Sequence, residues 1–151
     1  MRIEKITPEQ TLPLRQAVLR TGLPLAESIF SCDGSEEAAH FAALDDAGKI
    51  VAVGTVYREP CGDERADVRM RSSRAWRLRG MATDEGFRGQ GLGAQVLQSC
   101  LDHAHRNSAE TLWCNARVRA SAFYLRHGFV KMSELFEMPG IGPHYLMKYD
   151  F

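Results

Sequence analysis

Hydrophobic and polar positions change period along the chain, and each change marks an element. Arg2 to Ile6 can form a short strand. Thr7, Pro8 and Glu9 then give the cap-and-proline signature of a helix start. That helix runs towards Arg20, where Gly22 and Pro24 stop it. A polar, acidic stretch to about Glu37 reads as a short helix or loop. His40 to Leu44 and Ile50 to Tyr57 are β-prone runs, and Asp45-Asp46-Ala47-Gly48-Lys49 between them predicts a hairpin turn. Cys61 to Ser73 is polar, Arg-rich and loop-like. Trp76, Leu78, Gly80 and Ala82 then alternate with Arg77, Arg79 and Met81, a strand with one polar face.

After that strand the period lengthens. Leu92, Val96, Leu97, Cys100, Leu101 and Ala104 recur at helical spacing, so one apolar stripe runs from about Gly91 to Arg106. Thr111 to Cys114 is a short apolar strand, and Ala120 to Arg126 a helix closed by Gly128. Phe129 to Met138 reads as a strand, Pro139 to Pro143 as a turn, and His144 to Tyr149 as a final strand. No linker, repeat or low-complexity tract interrupts the series. The expectation is a single mixed α/β (α+β) domain over residues 1–151, with helices interrupting a twisted sheet.

Composition narrows the class. With 151 residues, 44% hydrophobic and 25% charged, the chain suits one globular core and excludes disorder as the main state. No apolar run approaches the roughly 18 residues of a membrane helix. The start, MRIEKITPEQ, has no apolar signal core, so a cytoplasmic location is expected. Charge is neutral overall but uneven: residues 1–64 carry −5, residues 65–131 carry +7 and residues 132–151 carry −2. Arg65, Arg69, Arg71, Arg74, Arg77 and Arg79 form either a solvated edge strand and loop or a segment that attracts an anion. Nucleic-acid binding is not indicated, because neither interleaved aromatics nor a reading helix accompanies them. Cys32, Cys61, Cys100 and Cys114 show no metal-ligand spacing and read as small buried residues, with no metal expected. His103 and His105 lie two apart on one helix and are expected at the surface.

The chemistry concentrates in residues 76–94. A strand, a short loop and the glycines Gly89, Gly91 and Gly93 lead into a long amphipathic helix. The first N–H groups of a helix lack intrahelical partners and carry partial positive charge, so this entry suits a phosphate or pyrophosphate. Arg88 adds a full charge. A Walker loop is excluded because no Gly-Lys-Ser/Thr follows. A dinucleotide fingerprint is excluded too: the third glycine is missing, and Asn115 stands where a ribose-binding acid is needed.

Arg88-Gly-Gln-Gly-Leu-Gly93 resembles the pyrophosphate signature of the GCN5-related N-acetyltransferases (GNAT), Arg/Gln-x-x-Gly-x-Gly/Ala, and Met81-Ala82-Thr83 fits the hydrophobic tripeptide preceding it. Ala120-Ser-Ala-Phe-Tyr-Leu-Arg-His-Gly-Phe129 is similar to the family's second block. The close match covers roughly residues 74–130. It implies a mixed, mostly antiparallel twisted sheet of about six or seven strands with about four helices. A V-shaped split is implied between the strand ending near Met81 and the one containing Cys114. Acetyl-CoA would lie in that split. Arg88, Gly89, Gln90, Gly91, Leu92, Gly93 and Ala94 would hold its pyrophosphate, chiefly by backbone N–H groups. Met81, Ala82 and Thr83 would hold the pantetheine through the main chain, and Asn115 would bond the same arm. Arg126 is either a 3′-phosphate ligand or a solvated helix residue.

Acetyl transfer to an amine expels a thiolate that needs a proton. Tyr124, the second residue of the aromatic pair, matches the family's usual acid, against the alternative of a packing aromatic. The acceptor amine must also lose a proton. Some members carry a glutamate four residues before the position of Met81, but Arg77 stands there. His144, Glu134, Glu137 or an ordered water remain, and His144 is the candidate selected. Arg117 replaces an asparagine common in the family, which leaves the cofactor contact of that loop open. The implied reaction is direct acetyl transfer to a primary amine, small-molecule or peptide, in a ternary complex; the alternative is an acyl-CoA sensor of the same fold. No residue identifies the acceptor, and a homodimer through the final strands is left open.

Overall fold

The computed structural model describes residues 1–151. Two compact units make up the chain: Met1–Tyr57 with Leu78–His103, and Arg58–Arg77 with Ala104–Phe151. Strand β4 (Ala75–Thr83) contributes its first residues to the second unit and the rest to the first.

The first unit contains β1 (Arg2–Ile6), α1 (Pro8–Leu19), β2 (Ala39–Leu44) and most of β3 (Ile50–Arg58) and α2 (Leu92–Arg106). Helix α1 starts where Thr7 and Gln10 cap it reciprocally: Gln10 N–H donates to Thr7 Oγ1 (3.3 Å) and Thr7 N–H to Gln10 Oε1 (2.9 Å). The acidic stretch holds only a 3-10 turn at Leu25–Ser28. Strands β1 and β2 pair antiparallel from Arg2↔Leu44 to Ile6↔His40, and β2 forms the expected hairpin with β3. Leu14, Ala42, Leu44, Val53 and Ala82 pack as a core with Ile6 and Val18 at its margin. The apolar stripe of α2 is buried as its spacing predicts.

Between α1 and β3 the core is polar. Arg15 is wholly buried, and its Nη1 and Nη2 donate to Asp33 Oδ2 (2.7 Å) and Oδ1 (3.0 Å). Nη1 also reaches Ser28 O (3.0 Å) and Nη2 reaches Thr55 Oγ1 (2.8 Å). Thr55 Oγ1 lies 2.8 Å from His40 Nδ1. Since Arg15 can only donate, the Thr55 hydroxyl best turns its own proton to His40 Nδ1; the reverse would leave two groups unmet instead of one. His40 Nε2 is buried without a partner.

In the second unit β8 (Gly142–Asp150) is the central strand. It pairs antiparallel with β5 (Thr111–Arg117), from Thr111↔Asp150 to Arg117↔His144, and on its other edge with β6 (Val130–Lys131) and β7 (Phe136–Met138). Strand β4 pairs parallel with β5 over three residues, Ala75↔Thr111 to Arg77↔Trp113. Helix α3 is Ser121–Arg126. Cys61, Ala66, Met70, Ala75, Trp113 and Leu146 form this unit's core.

Three expectations need correction. The sheet has eight strands because the single strand expected over Phe129–Met138 is broken. Ser133 Oγ takes the Leu146 N–H at 2.9 Å, a side chain doing what a ladder carbonyl would do, and the chain bends there. The α-helices number three rather than four, with 3-10 turns making up the remaining helical segments. The Arg65–Arg79 segment is no edge strand either: Arg71 donates to the carbonyls of Ala66 and Glu64, and Arg77 bonds Glu59 (3.1 Å) and stacks on Trp113.

Burial pushes the His40 pKa below the ordinary histidine value, against a partly opposing pull from Asp33. The unfolded chain therefore takes up a proton more readily as pH falls. The stability tied to neutral His40 is complete above about pH 6.5 and is lost as pH drops through the lower folded value. His40→Gln should shrink the drop in melting temperature between about pH 7.5 and pH 5.5. An unchanged drop would assign that acid sensitivity elsewhere.

Candidate active site

The glycine loop sits between β4 and α2. Asp84 Oδ1 accepts the Gly86 N–H (2.9 Å) and starts a 3-10 turn over Glu85–Phe87. Gly89 and Gly91 follow with φ of +80° and +78°, a left-handed backbone that side chains with a Cβ resist. Neither glycine has an atom within 4 Å of where a Cβ would sit, so backbone conformation, not crowding, selects glycine here. The first intrahelical bond of α2 runs from Gln95 N–H to Gly91 O (3.2 Å). The N–H groups of Leu92, Gly93 and Ala94 therefore open the helix without an intrahelical acceptor. Arg88, Gly89, Gln90 and Gly91 are exposed, whereas the Leu92 side chain is buried and leaves only its backbone available. Arg88 N–H points at Glu85 O across 3.5 Å, a marginal bond.

Immediately upstream, Met81, Ala82 and Thr83 end β4. The β4–β5 ladder stops at Arg77, so the later part of that edge lacks the β5 partner. Gly80 breaks the strand's regularity with φ +69°, and a Cβ there would come within 3.0 Å of Arg15 Nε and of Phe30 Cε2. On the other face Met81 lies against β3. A Cβ on Gly54 would meet Met81 Sδ at 2.5 Å and Val96 Cγ1 at 2.9 Å.

Asn115, Tyr124, Arg126 and His144 all belong to the second unit. Asn115 is half-buried on β5 opposite Leu146. Tyr124 is buried on α3, its ring 5.2 Å from those of both Phe123 and Phe129. The ring therefore packs among aromatics, as the alternative reading of a packing aromatic also expects. Arg126, the last residue of α3, is exposed. His144 is buried opposite Arg117, with Nδ1 2.8 Å from Gly142 O. A carbonyl only accepts, so Nδ1 is the donor of this bond, and in the neutral ring the lone pair lies on Nε2. The competing bases Glu134 and Glu137 are exposed. Cys114 and Cys100 are pushed up by burial, Cys114 to about 12, so neither supplies a thiolate. Cys32 departs from expectation in being only half-buried.

Sequence reading missed the wall behind Gly80. Arg15 sits beside Leu14 on the buried face of α1, and a charge at that position was the available signal for a buried ion pair. Phe30 gave none, because the turn that carries it has no periodicity.

Residues 25–151 match the family model described as acetyltransferase (GNAT) domain, and the chain belongs to this family. It is 26% identical over 147 residues to the uncharacterized N-acetyltransferase YitI of Bacillus subtilis, covering 97% of this chain and 94% of that protein. The fold is similar to that of Escherichia coli ElaA, with a TM-score of 0.76 at 17% identity over 99% of both chains. It is similar as well to an acyl-CoA N-acyltransferase from Pseudomonas aeruginosa, with a TM-score of 0.73 at 20% identity over 98% of both. No helix is long and apolar enough to cross a membrane.

Gly54→Ala should lower stability by about 1–3 kcal/mol in chemical denaturation, because Val96, stiff at χ1, cannot give way to the new methyl. A neutral substitution would mean that Met81 and α2 are free to shift, contrary to close packing at this strand.

Proposed function

We propose that residues 1–151 act as one acetyl-CoA-dependent N-acetyltransferase. The observation that carries this reading is the junction of β4 and α2: two left-handed glycines lead to three helix-start N–H groups, next to a strand edge without its β5 partner. Diphosphate fits such a helix entry, and an amide-bearing arm fits a strand edge. Arg88 and the backbone of Gly89, Gln90, Gly91, Leu92, Gly93 and Ala94 would hold the diphosphate. Met81, Ala82 and Thr83 would hold the pantetheine from one side and Asn115 from its own strand, with Arg126 available for the 3′-phosphate.

Bound acetyl-CoA supplies an acetyl thioester as acyl donor. In this reading His144 Nε2, its lone pair fixed by the bond at Nδ1, takes the acceptor amine's proton. Tyr124 holds a phenolic proton for the departing sulfur. With both cysteines held as thiols, direct attack by the amine is favoured over an acyl-cysteine route.

Acetyl-CoA should raise the melting temperature while ATP does not, and Gly91→Ala should remove most of the rise by straining φ +78°. In a thiol-release assay over an amine panel, Tyr124→Phe and His144→Gln should each lower kcat by about 100-fold with acetyl-CoA binding retained. Binding without turnover of any amine would favour a sensor. No stabilisation by acetyl-CoA would remove the reading.

A further inference from the structure

Arg79 and Phe30 form a second cluster in the first unit, distinct from the glycine loop. The Arg79 guanidinium carbon lies 4.0 Å from the centre of the Phe30 ring, and that of Arg15 lies 3.9 Å from it. Arg20 is 6.0 Å away. Asp33 is committed to Arg15 through both oxygens, so Arg20 is answered only by the exposed Glu27 and Arg79 by no carboxylate within ion-pair reach. Arg20 uses Nη1 on the Leu19 carbonyl (3.1 Å), and no ion pair forms at Arg79. Burial, and next the charge of Arg79, hold Arg20 below its ordinary value, while Glu27 opposes this from an exposed position.

Two half-buried guanidiniums facing one ring, with only the exposed Glu27 near Arg20 and no ion pair at Arg79, is an unfavourable arrangement for structure alone. An ordinary structural arginine finds a carboxylate or a set of carbonyls, as Arg65, Arg71, Arg74 and Arg77 do in the second unit. Stacking on Phe30 fixes the Arg79 plane and leaves its fork of donors free for an anion. Arg79 also stands two residues before Met81 on β4.

We infer that Arg79, stacked on Phe30 and assisted by Arg20, binds a carboxylate carried by the acceptor amine. This rests on the acetyltransferase reading for the position of the reacting carbon near Met81. The acceptor is then an amino-carboxylate rather than a simple amine or polyamine. Arg15 and Asp33 act beneath it as positioning residues, because they hold Phe30 and reach no ligand themselves.

The test separates this from the reading it rests on. N-acetyl amino acids stand in for the acetylated acceptor, and their C-terminal amides differ only in lacking the carboxylate. Each is titrated into the full chain while the Arg79 Nε–H resonance is followed, assigned by its loss in Arg79→Gln. At least one acid should bind about tenfold more tightly than its amide. In Arg79→Gln, checked for a native melting temperature, the ratio measured on backbone resonances should fall to about one. Arg20→Gln should weaken the same acid by a smaller factor. Failure of every acid to bind, equal shifts from acid and amide, or an unchanged ratio in Arg79→Gln would overturn the inference. Tighter binding of inorganic phosphate than of every acid would overturn it in favour of a phosphorylated acceptor. Stabilisation by acetyl-CoA, measured on the same samples, reports on the glycine loop alone. Its absence beside intact acid–amide discrimination would remove the acetyltransferase reading and leave the carboxylate site standing.

Discussion

A guanidinium with no exposed surface has to be neutralised where it sits, and in this protein that requirement organises the first unit. Breaking such a pair by removing one partner leaves a buried charge and costs about 3–5 kcal/mol. Arg15 meets the requirement with Asp33 and directs its remaining Nη hydrogens to Ser28 O and Thr55 Oγ1, while Nε has no partner. One side chain thereby ties α1, the turn before β2, and β3 to a single point. Phe30 is drawn over the guanidinium by the same geometry, and its backbone N–H bonds Asp33 Oδ2 (2.9 Å).

The consequence reaches β4. With Arg15 and Phe30 beside it, position 80 would seat a Cβ only in tight contacts of 3.0 Å and lacks a backbone angle suited to one. Glycine resolves both at once, and the regular strand backbone is interrupted just before Met81. Gly54 does the reciprocal service on the opposite face, where its missing Cβ admits Met81 and the α2 stripe. Met81 is thus held from two sides by absences, a device that needs rigid surroundings to be precise.

What was legible in the sequence follows from what is local. The helix start at Thr7, the hairpin around Gly48 and the stripe of α2 are each set by neighbours a few residues apart, and all three form. The glycine loop was legible for the same reason, since a backbone angle near +80° is a property of its own residue. The break between β6 and β7 was not, because it depends on Ser133 reaching Leu146 across the sheet. The Arg15–Asp33 pair spans 18 residues and the Arg15–Thr55 bond 40, so neither leaves a periodic trace.

The arginines illustrate how composition misleads when read as a field. Six of them within fifteen residues suggest one anion-attracting segment, yet they divide by use. Arg65 closes on Asp63 and holds that carboxyl down at about 2; Arg71 gathers loop carbonyls, and Arg74 and Arg77 pair with Glu110 and Glu59. These four make the long connection between β3 and β4 a fixed structure, and their charge is already answered. Arg79 lies beyond Arg77, the last β4 residue paired with β5, and it meets an aromatic ring instead of an acid. A surface potential summed over the segment would give all six equal weight. The pairing pattern does not: Arg69 lies exposed to solvent, and Arg79 is the one half-buried arginine of the six whose donors meet no acceptor.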